Sequence, residues 1–260
     1  MLRRFSHQAW LNFKGANAAF SFEEFTLLRL LYPLVTLTFY VLLAAYSFNA
    51  ENLTHWVVGN SFLLCVNVSL FTLGQGFDSE RIDGRLRSII VAPENKLVAV
   101  LQKAAFPMLV SVITVFAGFI VSSLIFSVPF YEINLWLFMV VVIVSMFAAS
   151  GLGLLLAALS LMTDSMHLIL NTMNYVLMIF CGANFPIAQM PAWAGVLSQA
   201  LPLTRGIEAA NMLFTQNNPA AFAGLIFGEF VIGAIFFLLA FLAIKYAERT
   251  AIRRASLELF

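Results

Sequence analysis

The chain has 260 residues, of which 62% are hydrophobic and only 10% are charged, and its mean hydropathy is +0.93. Soluble domains are usually about 45–50% apolar and roughly 25% charged, so this composition excludes an ordinary water-soluble globule. The formal net charge of +1 argues against binding of nucleic acid through bulk positive charge. We therefore expect one membrane domain that covers residues 1–260.

Six apolar runs are candidates for membrane-crossing helices, each of which needs about 20 mostly apolar residues. In chain order they are Leu27–Phe48, Trp56–Leu73, Ala104–Val128, Leu135–Leu161, Leu168–Ala183 and Ala220–Tyr246. The fifth run is the shortest. These runs predict an all-α integral membrane protein with six transmembrane helices.

The basic residues are distributed very unevenly among the segments that connect these runs. Lys and Arg fall before the first run, between the second and third, and after the sixth, whereas the loops Asn49–His55 and Pro129–Asn134 contain none. Six crossings place the three basic segments on one side, which the positive-inside rule identifies as the cytoplasm. We expect both termini in the cytoplasm, with Arg205 as the one basic residue outside.

The N-terminal segment 1–26 is amphipathic and rich in aromatic residues. It interleaves Phe and Trp with Arg, Lys and Glu directly before the first apolar run. Such a stretch can lie in the headgroup layer of a membrane. We predict an N-terminal interfacial helix, and contact of this helix with a cytoplasmic partner is the sharper alternative.

The segment 77–93 predicts a short amphipathic helix on the cytoplasmic side that ends at Pro93. Apolar side chains recur at helical spacing, and charged side chains occupy the remaining surface. The apolar set is Ile82, Leu86, Ile89 and Ile90, and the charged set is Glu80, Arg81, Asp83, Arg85 and Arg87. Such a helix can insert into a groove of a partner protein. A solvated loop whose arginines only set the topology is the alternative.

The segment 182–215, between the fifth and sixth runs, is apolar but interrupted by Gly182, Pro186, Pro191 and Pro202. Proline at this density breaks a crossing helix, and irregular backbone at membrane depth persists only where protein or a water-filled cavity shelters it. We predict two short helices that dip back from the outer face. Within them, Arg205 and Glu208 are one helical turn apart and are predicted to pair.

Several runs contain amide or hydroxyl side chains, among them Asn60 and Ser69. Hydrogen bonding between helices is the ordinary role of such residues in membranes. The functional alternative is that Asn67, Asn171 and Asn174 line a translocation path.

The sequence offers little material for catalysis or for ion coupling. Cys65 and Cys181 lie in apolar runs without a CxxC motif, and the three histidines fall at or outside the ends of the runs. We expect no acidic or basic side chain in the central part of any run, which argues against an ion-coupled carrier. The predicted protein is not an enzyme and binds no metal or cofactor.

The segment from Glu80 to Pro93 resembles the cytoplasmic coupling helix in the permease subunits of type 2 ABC exporters, which are six-helix proteins. The likeness includes the central Gly84, the following Leu86 and the closing Ala-Pro. The resemblance implies that this segment transmits ATP-driven motion. The residues that it implies for coupling are Glu80, Arg81, Asp83, Gly84, Arg85, Leu86 and Arg87.

The block 182–208 resembles the outer re-entrant hairpin of the same family. Gly-Ala-Asn-Phe-Pro and Met-Pro-Ala-Trp match its signature of a glycine, Phe-Pro and Pro-x-Trp, and a proline and an acidic residue follow. The resemblance implies an outer gate. Its residues would be Phe185, Pro186, Pro191, Trp193, Pro202, Arg205 and Glu208.

The resemblance also implies partners and a location. The chain has no GxxxxGK[ST] motif, so a separate ABC-type ATPase would bind ATP and Mg²⁺, next to a second permease copy or a related permease. The complex would lie in a bacterial cytoplasmic (inner) membrane, with lipid around it and no nucleic acid.

The substrate class is less constrained by the sequence. The segment Phe20–Leu31 lacks the Gly-x-Leu-Trp-type motif of polysaccharide-exporting members, which favours a lipophilic, drug- or antibiotic-like compound. Export of a polysaccharide or lipid-linked glycan is the alternative. A membrane scaffold or assembly protein, which does no transport, is the alternative from another class.

Overall fold

The computed structural model describes residues 2–16, 23–24, 27, 31–48, 52–75, 96–160, 163, 165–215 and 219–254. Within these ranges the chain forms helices and no strand, so the prediction of an all-α fold is confirmed. In chain order the helices are α1 (Leu2–Ala16), α2 (Tyr32–Phe48), α3 (Thr54–Gly74), α4 (Lys96–Ile125), α5 (Leu135–Ser160), α6 (Met166–Phe180), α7 (Ala192–Ala200), α8 (Thr204–Thr215) and α9 (Pro219–Arg254).

Four stretches of the described helices are long and apolar enough to cross a membrane. They are Thr54–Gly74, Leu101–Ile125, Leu135–Ser160 and Pro219–Ala247. Helices α2 and α6 are also apolar but shorter, with 17 and 15 residues. Apolar side chains on every face of a helix require cover by protein or lipid. The chain is therefore a multi-pass membrane protein.

Helix α3 lies at the centre of the bundle, where Val57, Val58 and Phe62 are fully buried. The ring of Phe62 meets that of Phe138 on α5 edge to face, with centroids 6.2 Å apart. Phe138 in turn contacts Phe119 of α4 at 4.4 Å. This aromatic cluster joins α3, α4 and α5 into one core.

The backbone of α3 adopts a π-helical conformation over Val66–Phe71 and returns to α-helix at Thr72. Ser69 in this stretch lies 2.6 Å, hydroxyl to hydroxyl, from Ser111 of α4. Ser111 also donates to the carbonyl of Pro107, which lies inside α4. A polar bond between apolar helices is a common way of fixing their contact in a membrane.

Helices α5 and α9 pack closely through small residues. A Cβ atom at Gly151 would lie 3.0 Å from the carbonyl oxygen of Gly233, so the two backbones almost touch. Phe147 stacks beside this contact on Phe230 and Phe237, with centroids 5.4 and 4.6 Å apart. Glycine at a helix crossing permits this close approach.

Helix α1, the first part of the predicted N-terminal helix, packs against the beginning of α4. Trp10 and Phe13 contact Phe106, with ring centroids 5.3 and 5.9 Å apart. The side chain of Gln102 donates to Oε1 of Gln8 at 2.7 Å. These contacts hold an amphipathic helix across the start of a membrane-spanning helix.

Candidate translocation site and outer hairpin

The chain leaves α6 through a loop, residues 181–186, that is anchored to the beginning of α3. Nδ2 of Asn60 donates to Oδ1 of Asn184 at 3.1 Å, and the indole N–H of Trp56 donates to the Asn184 carbonyl at 3.1 Å. Asn184 itself donates to the carbonyl of Met178 at 3.1 Å. The amide side chain of Asn184 therefore joins the end of α6 to α3.

Two glycines permit this contact. A Cβ atom at Gly59 would lie 2.6 Å from the Cα atom of Ala183, so any larger residue would push the loop away from α3. Gly182 has φ +83°, a left-handed conformation that glycine adopts without steric cost. Pro186 follows in an extended conformation and precedes a 3₁₀ turn at Ile187–Gln189.

The segment predicted to form the outer hairpin folds into α7, the turn 201–203 and α8. Pro191 is the N-cap of α7, and its carbonyl accepts the Ala194 N–H at 2.9 Å. The ring of Trp193 lies 6.1 Å from that of Phe180, which joins α7 to α6. Phe185 and Trp193 are exposed, whereas Pro202 in the turn is buried.

Arg205 and Glu208 lie on α8, but no ion pair joins these two described residues. Nη1 of Arg205 donates to the carbonyl of Gln199 at 2.7 Å, and its aliphatic stem packs over Gly228 of α9. Glu208 is exposed. The two side chains diverge because Arg205 turns toward α9, where a different carboxylate attracts it.

That carboxylate belongs to Glu229, which is 1% exposed. Its Oε1 accepts the backbone N–H of Leu203 at 2.6 Å, and the N–H groups of Arg205 and Gly206 also interact with it. The expectation that the centres of the apolar runs carry no charged residue is therefore wrong. An acidic residue within a long apolar helix was itself a signal, because such residues require a buried partner.

The exposed face of α6 is mixed in chemistry. Leu168, Asn171, Thr172, Tyr175 and Ile179 recur at helical spacing and are all exposed. The amide of Asn171 donates to a carbonyl within its own helix at 2.8 Å. The face combines hydrogen-bonding groups with apolar surface, and the exposed His167 lies one helical turn before Asn171.

The other two predicted path residues are placed differently. Asn174 is half-buried on α6, beside the mixed face. Asn67 belongs to the π-helical stretch of α3, and its side chain lies outside the described residues. The structure therefore assigns Asn171, of these three, to an exposed polar face.

The predicted coupling segment, residues 77–93, lies outside the described residues, and so do all seven residues implied for coupling. Helices α3 and α4 flank it on either side. Within the described chain, no three His, Cys, Asp or Glu side chains are placed to hold a metal ion. Cys65 and Cys181 are buried and free.

Comparison with known proteins identifies the family of this chain. No curated protein matches the sequence significantly. A family model described as ABC-2 type transporter matches residues 7–215, which is more than half of the chain and runs from within α1 to the end of α8. The chain therefore belongs to the ABC-2 type transporter family, the family of type 2 ABC permeases.

Proposed function

We propose that the chain is the permease subunit of an ATP-driven exporter that moves a lipophilic or amphiphilic, drug- or antibiotic-like compound out of the cytoplasm or inner leaflet. Its family and its apolar helices support this role. A separate ABC-type ATPase supplies the energy, because the sequence has no phosphate-binding GxxxxGK[ST] motif. The permease itself is not an enzyme.

We count α2 and α6 as crossings, which makes six. At 1.5 Å per residue they measure about 26 and 22 Å, against a hydrocarbon core of about 30 Å. The loop 181–186 extends α6 toward the outer face. Its irregular backbone is packed against α3, and protein cover of this kind makes such backbone tolerable at membrane depth.

The hairpin of α7 and α8 is proposed to enter the membrane from outside and return. Leu203, at its tip, bonds to Glu229, which lies ten residues after the first residue of α9, Pro219. Ten residues correspond to about 15 Å of helix, roughly half the thickness of the hydrocarbon core. This depth supports a re-entrant hairpin.

The orientation follows from charge. With six crossings, thirteen of the fourteen Lys and Arg lie on the side of the termini, and Arg205 is the exception. We place that side in the cytoplasm of a bacterium, with the protein in the inner membrane. The segment 77–93 then faces the ATPase.

The exposed face of α6 is the observation that carries the substrate class. Asn171, Thr172 and Tyr175 present hydrogen-bonding groups that lipid tails cannot satisfy, and Leu168 and Ile179 flank them. A second permease copy or relative that packs opposite this face would enclose a path between the two. An amphiphile with hydrogen-bonding groups matches that lining, and alternating access would expose the path to each side in turn.

The test is reconstitution. The permease is co-purified with an ABC-type ATPase, sought first in the neighbouring reading frames, and the complex is placed in proteoliposomes. We expect lipophilic dyes or antibiotics to stimulate ATP hydrolysis and to move in an ATP-dependent manner. Stimulation by glycans alone would overturn the substrate class, and a permease that binds no ABC ATPase would overturn the transport function in favour of a scaffold.

A further inference from the structure

We propose that Glu229 is a positioning residue for the export step, an inference that rests on the proposed function. Its carboxylate holds the tip of the outer hairpin closed. The hairpin opens when that carboxylate exchanges the backbone of Leu203 for the hydroxyl groups of Ser145 and Thr204.

In the closed state, Glu229 binds the N-terminus of α8. The first N–H groups of a helix have no partner within the helix, and a polar residue at the N-cap usually accepts one of them. Leu203 occupies this position, because its carbonyl accepts the first intrahelical bond, from Ile207 N–H at 2.8 Å. Leucine cannot cap. Glu229, on another helix, supplies the missing acceptor and places a negative charge at the positive end of the α8 dipole.

The turn that presents this N–H is strained. Leu203 has φ +73°, a conformation that residues with a Cβ adopt only at an energetic cost. Leu203 is also fully buried, so its surroundings hold it in this conformation. Loss of the bond to Glu229 would remove one of the restraints, and the turn would relax.

Arg205, on α8, connects both helices of the hairpin to the Glu229 carboxylate. Its bond to the Gln199 carbonyl ties α8 to the end of α7, and its charge attracts the Glu229 carboxylate. A Cβ atom at Gly228 would lie 2.8 Å from Cδ of Arg205, so glycine there makes room for the arginine stem. The carboxylate therefore anchors α7 and α8 together.

The alternative partners lie beside the anchor. The Oε2 atom of Glu229, the hydroxyl of Ser145 and the hydroxyl of Thr204 are buried, and none has a hydrogen-bond partner in the described part of the chain. A Cβ atom at Gly206 would lie within van der Waals overlap of the Ser145 hydroxyl, which places that hydroxyl against the first turn of α8. Buried polar groups are rarely left unpaired. Both hydroxyls therefore lie at the first turn of α8, where the Glu229 carboxylate is also bound, and they offer that carboxylate a second set of donors.

The experiment reports on hairpin position through a buried thiol. Ser198 of α7 is fully buried and bonds to the Ala194 carbonyl of its own helix, so S198C is a nearly isosteric reporter. The native Cys65 and Cys181 are both fully buried, and the chain without S198C gives their background. A maleimide is added from outside, first to the resting permease and then to the complex during ATP hydrolysis.

In the resting permease, we expect E229A to raise the labelling rate of S198C about tenfold, because it leaves a buried N–H unpaired. T215A, which removes an exposed hydroxyl from α8 of the same hairpin, is the matched control and should leave the rate unchanged. Equal labelling of the E229A and T215A variants would overturn the proposal. This arm needs no substrate, so it stands even if the proposed transport function fails.

The exchange itself is tested by variants that preserve the closed state. E229Q keeps an acceptor for Leu203 but puts an N–H₂ donor where Oε2 stands, so we expect closed resting behaviour and little ATP-driven labelling. S145A should likewise leave resting labelling unchanged and reduce the ATP-driven increase, whereas S160A, on the same helix, should not. If E229Q and S145A both show the same ATP-driven labelling as the parent chain, the proposed exchange is overturned. This criterion does not use E229A, so it still applies if that variant fails to fold.

Discussion

Asn60 and Asn184 meet side chain to side chain at 3.1 Å, although 124 residues separate them in sequence. The bond fastens the loop after α6 to the N-terminal half of α3. Together with Trp56, which bonds to the Asn184 carbonyl, it makes that loop part of the central core. The first two predictions concern this junction.

Replacement of Asn184 by alanine should destabilise the junction. The change removes the bonds to Asn60 and to the Met178 carbonyl, and a lost buried hydrogen bond costs about 1–2 kcal/mol. We expect a lower midpoint of thermal unfolding in detergent. N171A is the control, since Asn171 is exposed and bonds only within its own helix. Equal midpoints for the two variants would contradict the assignment.

Replacement of Gly59 by alanine should destabilise the protein, although it adds only one methyl group. The new Cβ would lie 2.6 Å from Cα and 2.8 Å from the carbonyl oxygen of Ala183, and backbone atoms cannot rotate away. Overpacking of this kind costs about 1–3 kcal/mol. G195A is the matched control, because nothing lies within 4 Å of a Cβ there, and it should be neutral or slightly stabilising. Size-exclusion profiles of the two variants in detergent would separate these outcomes.

Replacement of Leu86 and Arg87 by alanine should uncouple ATP hydrolysis from export. If the segment 77–93 inserts into the ATPase, truncation of its apolar anchor and its neighbouring charge removes the contact while the apolar helices still direct membrane insertion. We expect normal membrane levels, persistent basal hydrolysis and loss of transport in proteoliposomes. K245A removes a positive charge elsewhere on the same side and should transport normally. Unimpaired transport by the double variant would refute the coupling role.

Replacement of Asn171 by leucine should change substrate selectivity without loss of stability. The substitution removes one hydrogen-bonding group from the exposed face of α6, and the KM for a hydrogen-bonding amphiphile should rise by about threefold to tenfold. A purely apolar dye should be affected less. T36V, which removes from α2 a side chain that likewise hydrogen-bonds within its own helix, is the control. A uniform effect on both compounds would place Asn171 outside the path.

Much of the fold was predictable because its determinants are local. Crossing helices are encoded by the length and composition of single runs, and each described crossing corresponds to one of the six runs. The proline at the N-cap of α7 and the glycine with positive φ before Asn184 also follow from single residue types. None of these inferences needs knowledge of which helices are neighbours.

The site depends on which helices are neighbours, and here the prediction from the sequence failed. Arg205 and Glu208 have suitable helical spacing, but spacing does not say which side of α8 faces α9. Glu229 is 26 residues from its partner Leu203, and its single charge is hidden in the high average hydropathy of α9. The useful clue was the coincidence of one acidic residue, Glu229, within an apolar run and one basic residue, Arg205, in the segment that precedes it.

The π-helical stretch Val66–Phe71 gives α3 a property that a uniform helix lacks. A π turn accommodates one residue more than an α turn, and one residue corresponds to about 100° of rotation about the helix axis. The N-terminal half of α3 is held at Gly59 and Asn60, whereas its C-terminal end leads toward the segment 77–93. Migration or loss of the extra residue would therefore rotate the C-terminal end while the N-terminal half stays fixed, so the helix can act as a torsional joint.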